Sequence, residues 1–336
     1  MGARRLFLAA LWHHVLPWQA FSEPLSIGAE VQSNINQKCC ISNVEMNIKR
    51  ILLLSALVLS LASCRVNDTL RFGVITDLHY ADKAPVGTRH YQESMPKLKE
   101  ALGVFQKSQL DFIIELGDLK DMGAKPKREE TLAFLDSVEQ MFQSTGLPAY
   151  HVLGNHDMDH ITSQDFISHI SNPGAANGRA YYSFKVKGVK CIVLDANYNA
   201  DGGHYEKGNF NWQIAVIPQP ELDWLRQELA DGKGDVIVFV HQLLSQTAHH
   251  SVVVKNAAQV RQMLEQSGRV RAVFQGHHHA GHYEETNGIP YITLPGVIEG
   301  AYPEENSYAV VELERNGRLL VNGYRKCADR ILRTRQ

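Results

Sequence analysis

The sequence predicts an α/β fold, and three observations predict it. Five short apolar runs each end in a cluster of polar side chains, at Asp77-Leu78-His79, Gly117-Asp118, Gly154-Asn155-His156-Asp157, His241 and Gly276-His277-His278-His279. Segments with helical periodicity lie between them, and strands joined by crossover helices pair in parallel with right-handed connections. A hairpin pattern and a tail of short alternating strands follow, which calls for a second sheet or an antiparallel edge.

Each element has a local reason. The first strand begins near Leu70, and Thr88 is expected to cap a helix over 88–106, whose Met95, Leu98, Leu102 and Phe105 recur at helical spacing. The strand over 112–116 is followed by a helix over 129–142 with Leu132, Leu135, Val138 and Phe142 on one stripe. Gly146-Leu147-Pro148 breaks the chain before the strand over 149–153, and Gly154 allows the sharp turn that brings Asn155, His156 and Asp157 out at the strand end. Lys187-Gly188 separates two hairpin strands, over 181–186 and 189–194. The stretch over 195–217 reads as a long polar and aromatic loop, and loops of that length are often functional. Helices over 220–230 and 256–266 precede the strands that end at His241 and Gln275. Strands over 291–294, 308–313 and 319–324 close the chain. In open α/β sheets, ligands bind at the carboxyl ends of the strands, where all five polar clusters fall.

At 336 residues, 44% hydrophobic and 21% charged, the chain has the composition of a globular protein with a sizeable core. Its 34 Lys and Arg against 36 Asp and Glu fall by five and three respectively when the first 64 residues are set aside, leaving a net charge of −4. That balance supplies no electrostatic footprint for nucleic acid.

The beginning of the chain does not read as fold. Met46-Asn47-Ile48-Lys49-Arg50 and the apolar run over 51–61 form a basic and then an apolar region of a secretory signal, too short to span a bilayer as a mature helix. Leu61-Ala62-Ser63-Cys64 resembles the bacterial lipobox, where cleavage leaves a lipidated cysteine. Residues 46–64 are therefore expected to be a signal peptide, and residues 1–45 an upstream extension without a part in the fold. Residues 70–332 are left for the folded domain, which is expected to be exported and lipid-anchored in a bacterial cell envelope. Cys191 and Cys327 make no disulfide framework, and no Cys-x-x-Cys spacing suggests a thiolate zinc site.

The rim clusters hold two Asp, one Asn and four His: Asp77, Asp118, Asn155, His79, His241, His277 and His279. On extended backbone a side chain and its second neighbour project the same way, so Asp77 with His79, and His277 with His279, are expected to grip one ion together. These donors suit Mn, Fe or Zn and disfavour Ca. Seven donors exceed what one ion needs when positions stay open for water and substrate, so two divalent ions sharing a carboxylate, with Asp118 as the bridge, is the natural arrangement. Such a pair activates a water and neutralises charge on a phosphoryl group. His156 is then expected to serve as proton donor or charge stabiliser, with Asp157 orienting its ring and holding it cationic.

The ordered set Asp-x-His, Gly-Asp, Gly-Asn-His-Asp, His and Gly-His-x-His resembles the calcineurin-like metallophosphoesterases over roughly residues 71–314. The resemblance implies two mixed β-sheets packed face to face between helical layers, a four-layer αββα sandwich with its site at the strand rim. It implies one metal held by Asp77, His79, Asp118 and His279, a second held by Asp118, Asn155, His241 and His277, and His156 as the catalytic histidine. Phe72-Gly73-Val74-Ile75-Thr76-Asp77, Tyr80-Ala81-Asp82, Gly87-Thr88-Arg89, Gly296-Val297-Ile298-Glu299 and Asp329-Arg330-Ile331 are similar to the Mn-dependent ADP-ribose/CDP-alcohol diphosphatases. That group typically has Gln at the position of His79 and Glu at that of Asp157. A small nucleotide-like phosphodiester or pyrophosphate substrate is therefore expected, with Arg89 on a phosphate and Phe210 or Trp212 stacked on a base. The rival readings are a phosphomonoesterase of broad specificity and a noncatalytic scaffold of the same fold.

Overall fold

Alternation of side chains decides how the layers stack. In β1 (Leu70–Ile75) the side chains of Leu70, Phe72 and Val74 enter one apolar cluster and Ile75 enters another on the opposite face. The computed structural model describes residues 69–125, 127–173 and 178–334, so the signal and lipobox readings over 1–64 lie outside the described residues. Among the described residues no helix is long and apolar enough to cross a membrane.

The first sheet runs β12-β11-β10-β1-β2-β3 and the second β4-β5-β6-β7-β9-β8. In the first, β1, β2 (Phe112–Glu115) and β3 (Ala149–His151) are parallel, joined through α1 (Ser94–Phe105) and α2 (Arg128–Gln143). The chain returns to this sheet through antiparallel β10 (Ser307–Leu313), β11 (Arg318–Arg325) and β12 (Arg330–Arg333). In the second sheet, β5 (Val189–Val193), β6 (Val236–Val240), β7 (Val270–Gln275) and β9 (Ile289–Thr293) are parallel, with β4 (Tyr182–Val186) and β8 (His282–Thr286) as antiparallel edges. Helices α4 (Gln219–Ala230) and α5 (Ala257–Gln266) cover its outer face through Leu222, Leu225, Val260 and Leu264.

The sheets meet through aromatic rings. Phe72 stacks on Phe112 at 5.0 Å within its own sheet and meets Phe239 and Phe274 of the other sheet edge-on at 5.7 and 5.4 Å. Offset and edge-to-face contacts of this kind suit the ring quadrupole. The resulting order is helix, sheet, sheet, helix, the four-layer arrangement expected from the resemblance.

Several local expectations change. The helix expected from residue 88 begins at Ser94, because Val86 and Arg89 close a turn on each other and Arg89 bridges to Glu299, so Thr88 does not cap it. Strands β8 and β12 and the helix α3 (Ser163–His169) were not expected. α3 carries its own capping box, with Thr162 and Asp165 satisfying each other's backbone N–H groups. Lys187 and Gly188, with φ of 48° and 81°, form the two-residue hairpin turn, which requires positive φ at both positions. Cys191 and Cys327 are both buried free thiols.

Candidate metal centre and active site

Every rim cluster sits where a parallel strand ends. β1, β2 and β3 deliver Asp77 and His79, Asp118, and Asn155 with His156, while β6 and β7 deliver His241, His277 and His279. The loops are knitted by backbone hydrogen bonds: Asp77 N–H donates to Gly117 O (3.0 Å), His79 N–H to Asp118 O (2.8 Å) and Gly276 N–H to His241 O (3.0 Å). Asp77, His79, Asp118 and His277 lie at φ of 54°, 45°, 58° and 64°. The chain therefore turns at the paired ligands, and the extended geometry expected for Asp77-x-His79 and His277-x-His279 is not what aligns them. Left-handed backbone at non-glycine residues costs about 1 to 3 kcal/mol each and persists where surrounding structure enforces it, commonly at active sites.

Glycine makes the close approach possible. A Cβ at Gly154 would collide with the backbone nitrogen and carboxylate of Asp118, and one at Gly276 with Thr76 Oγ1 and Asp77 Oδ2.

The donor atoms fall into two groups that meet at Asp118. Asp77 Oδ2 accepts from Thr76 Oγ1 (2.7 Å) and His277 N–H (3.0 Å), so its Oδ1 is left facing His279 Nε2 at 3.2 Å and His79 Nε2 at 3.7 Å. Asp118 Oδ1 accepts His156 N–H (2.7 Å), and its Oδ2 lies 3.4 Å from His79 Nε2 and 3.1 Å from His241 Nε2. His279 Nδ1 is held by Glu299 (2.7 Å) and His241 Nδ1 by Leu116 O (2.8 Å), which turns Nε2 of both rings inward.

Buried atoms with no hydrogen-bond partner include Asp77 Oδ1, Asn155 Oδ1, His241 Nε2 and His277 Nε2. Facing imidazole nitrogens, such as His79 Nε2 and His279 Nε2 at 3.2 Å, and orphaned carboxylate and amide oxygens are costly unless cations satisfy them. The hard and borderline donors present fit two divalent ions. Asp77, His79, Asp118 and His279 would hold one, and Asp118, Asn155, His241 and His277 the other. Thus all seven sequence-predicted ligands are brought together.

Electrostatics follow from this crowding. Burial disfavours a charged Asp118 carboxylate, but His241, His79 and His156 outweigh it and hold its pKa far below the usual range. Burial likewise opposes charge on His241, yet Asp118 pushes that ring up to about 10. His277 goes the other way, to about 3, through burial and the neighbouring His241.

Two expectations about His156 and its surroundings are corrected. Asp157 does not orient the imidazole. Its carboxylate is fully buried and accepts from the N–H groups of Gly154, Asp118 and Leu119 at 2.8 to 3.0 Å, locking two ligand loops together. The ring is held instead by Asp159, whose Oδ2 lies 2.7 Å from His156 Nδ1. His156–Met158 is a 3-10 turn, which stacks positions i and i+3, so the legible signal was His-x-x-Asp. Asp121, 3.4 Å from His79 Nδ1, and Glu299 were likewise missed as supports of ligand rings. Phe210 is the second correction: one face stacks on Tyr205 at 4.7 Å and the ring meets His156 edge-on at 6.4 Å, so it packs beside the catalytic histidine and is not among the residues lining the cavity. Trp212 is 41% exposed with its ring 5.9 Å from His277, and with Arg89 it lines a cavity of about 380 Å³ that contains Asp118, Asn155 and His156.

The loop carrying Trp212 is anchored by charge. His204 Nε2 lies 2.8 Å from the buried Asp195, and Asn197 ties the same loop to Leu153 O (2.7 Å) beside the ligand Asn155. Burial opposes the charged ring, but Asp195 raises His204 to about 9 from an ordinary 6.5. A raised folded-state value means stabilisation that is complete below 6.5 and fades as pH rises through 9. His204→Gln is expected to lower the melting temperature by about 2 to 6 °C near pH 6, with the deficit closing by about pH 10. A deficit constant across that range in thermal scans would rule out the charged pair. Gly154→Ala is expected to abolish metal retention and activity together. Metal analysis finding full occupancy in that variant would contradict the close approach described above.

Residues 70–281 match the family of calcineurin-like phosphoesterases. A manganese-dependent ADP-ribose/CDP-alcohol diphosphatase of Arabidopsis thaliana is 25% identical over 292 residues, 74% of this chain and 93% of that relative. A probable cyclic nucleotide phosphodiesterase of Fibrobacter succinogenes is 24% identical, over 66% of this chain and 77% of its own length. Among solved structures, a dimetal phosphatase from Danio rerio superimposes with a TM-score of 0.69 at 22% identity, covering 80% of this chain and 99% of that one. With the five rim motifs gathered into one donor cluster and the family match extending over most of the catalytic fold, this chain belongs to the calcineurin-like metallophosphoesterases.

Proposed function

We propose that this chain is a dinuclear, manganese-dependent hydrolase of the phosphodiester or pyrophosphate bond in a small nucleotide-like substrate, of ADP-ribose or CDP-alcohol type. The observation that carries the reading is the single Asp118 oxygen placed between two sets of inward-facing donors. A metal pair held there would supply water activation and neutralisation of charge on a phosphoryl group.

The chain's own residues do the rest. His156 lines the cavity with Nδ1 committed to Asp159, so Nε2 is the atom that donates a proton to the leaving oxygen. Burial resists charge on this ring, but Asp118 and Asp159 raise its pKa and keep the proton in place. Arg89 is 36% exposed in its side chain and stands at the mouth, where its guanidinium meets the substrate's second phosphate. Trp212 provides a flat face for the base. The cavity volume is in the range of small-molecule sites. The diphosphatase relatives support the substrate class by their names, and the net charge weighs against a nuclease. His79 supplies an imidazole donor to the set around Asp77 and Asp118. We place the protein outside the cytoplasm, held by a lipid on Cys64, on the strength of the signal and lipobox pattern alone.

The test is a panel of p-nitrophenyl phosphate, its bis ester, ADP-ribose, CDP-choline, a 3′,5′-cyclic nucleotide and single-stranded DNA, each with Mn, Fe or Zn. ADP-ribose or CDP-choline with Mn is expected to give the highest kcat/KM. Base stacking on an aromatic ring is worth about 1 to 3 kcal/mol, so Trp212→Ala is expected to raise KM for these substrates by roughly 10- to 100-fold. Preference for the cyclic nucleotide, for DNA or for the monoester would contradict the substrate assignment.

A further inference from the structure

Lys120 is wholly buried beside the metal centre and has no part in the chemistry described so far. It lies two residues after Asp118, and its side chain passes under the turn that carries His156. There Nζ donates to His156 O at 2.6 Å and to Asp159 O at 3.1 Å. These are the backbone carbonyls of the two residues whose side chains form the imidazole–carboxylate pair. Burial disfavours the ammonium and lowers its pKa, while the carboxylates of Asp159, Asp157, Asp121 and Asp118 work against that shift from several sides.

The contact is one half of a reciprocal anchor. Asp157 of the second loop accepts N–H groups from Asp118 and Leu119 of the first, while Lys120 of the first donates to carbonyls of the second. Asp157 therefore fixes how far apart the loops stand. Lys120 fixes the rotation of the 3-10 turn, because its two acceptors lie at the turn's first residue and its cap. The buried amine thus adds a second donor to His156 O, which already accepts Asp159 N–H at 3.0 Å, and ties the carbonyl of Asp159 to the same point.

We propose that Lys120 is a positioning residue that sets the aim of His156 Nε2 relative to the phosphoryl group, acting on turnover rather than on metal retention. The inference rests on the proposed role of His156 as proton donor. A misplacement of about 1 Å costs a reaction on the order of 100-fold, and general acid catalysis contributes roughly 100- to 10,000-fold, so the effect is measurable within the His156 contribution.

A double-mutant cycle on the full chain tests it, with Mn and a nucleoside 5′-alkyl phosphodiester, whose alkoxide leaving group needs the proton, using wild type, Lys120→Met, His156→Ala and the double variant. Lys120→Met is expected to lower kcat by roughly 10- to 100-fold with KM and bound metal within about twofold, and to have almost no further effect once His156 is Ala. Lys120→Gln, whose amide still reaches one carbonyl, runs through the same cycle and is expected to show the same coupling at smaller size, which keeps the test decisive if the Met variant does not fold. Equal losses in both backgrounds, or loss of bound metal in step with kcat, would overturn the positioning role. If His156→Ala alone left kcat unchanged, the His156 assignment would fall, and the positioning role with it. A normal His156→Ala deficit with uncoupled Lys120 would overturn only the latter.

Discussion

One buried oxygen atom organises this protein. Asp118 Oδ2 lies within 3.4 Å of ring nitrogens that arrive from two different sheets, His79 from the first and His241 from the second. A carboxylate so placed is far from water, and its charge is tolerable only among cationic or metal-bound partners. Much else near the rim follows from keeping it there. The left-handed backbone at Asp77, His79, Asp118 and His277, the glycines at 154 and 276, and the buried anchor at Asp157 all bring peptide chains closer than ordinary side chains and extended backbone permit.

The sandwich explains how such strain is sustained. The Phe72, Phe112, Phe239 and Phe274 rings interlock across the sheet interface, and the parallel strands ending above them have little freedom to move apart. Function is then divided between layers of support. Glu299, Leu116 O and Asp121 face the Nδ1 atoms of ligand imidazoles, Asp159 does so for His156, and the loop with Trp212 is tied to the same rim through Asn197 and the His204–Asp195 pair. Such outer contacts fix tautomer and aim, which ligands alone do not.

The gathering of these donors at one rim was legible because chemistry-bearing residues recur at strand ends, and five recurrences leave little room for coincidence. The reason first offered for the Asp77-x-His79 pair was nevertheless wrong, since the backbone turns there instead of extending. Asp157 was misjudged because adjacency in sequence does not give adjacency of side chains. A 3-10 turn aligns His156 with Asp159, and its His-x-x-Asp spacing is the signal that adjacency obscured. Lys120 was invisible for a similar reason: a lysine in a polar loop reads as solvated, and only the fold shows it beneath the His156 turn. The edge strands His282–Thr286 and Arg330–Arg333 lack a full apolar run because they are buried on one side at most.

Sharing of Asp118 between two ions is best tested by metal analysis of the manganese-loaded chain, paired with electron paramagnetic resonance. Two manganese ions per chain with a magnetically coupled signal are expected in the wild type, and in Asp118→Asn a loss of that coupling with at most one ion retained. Two coupled ions persisting in Asp118→Asn would contradict it.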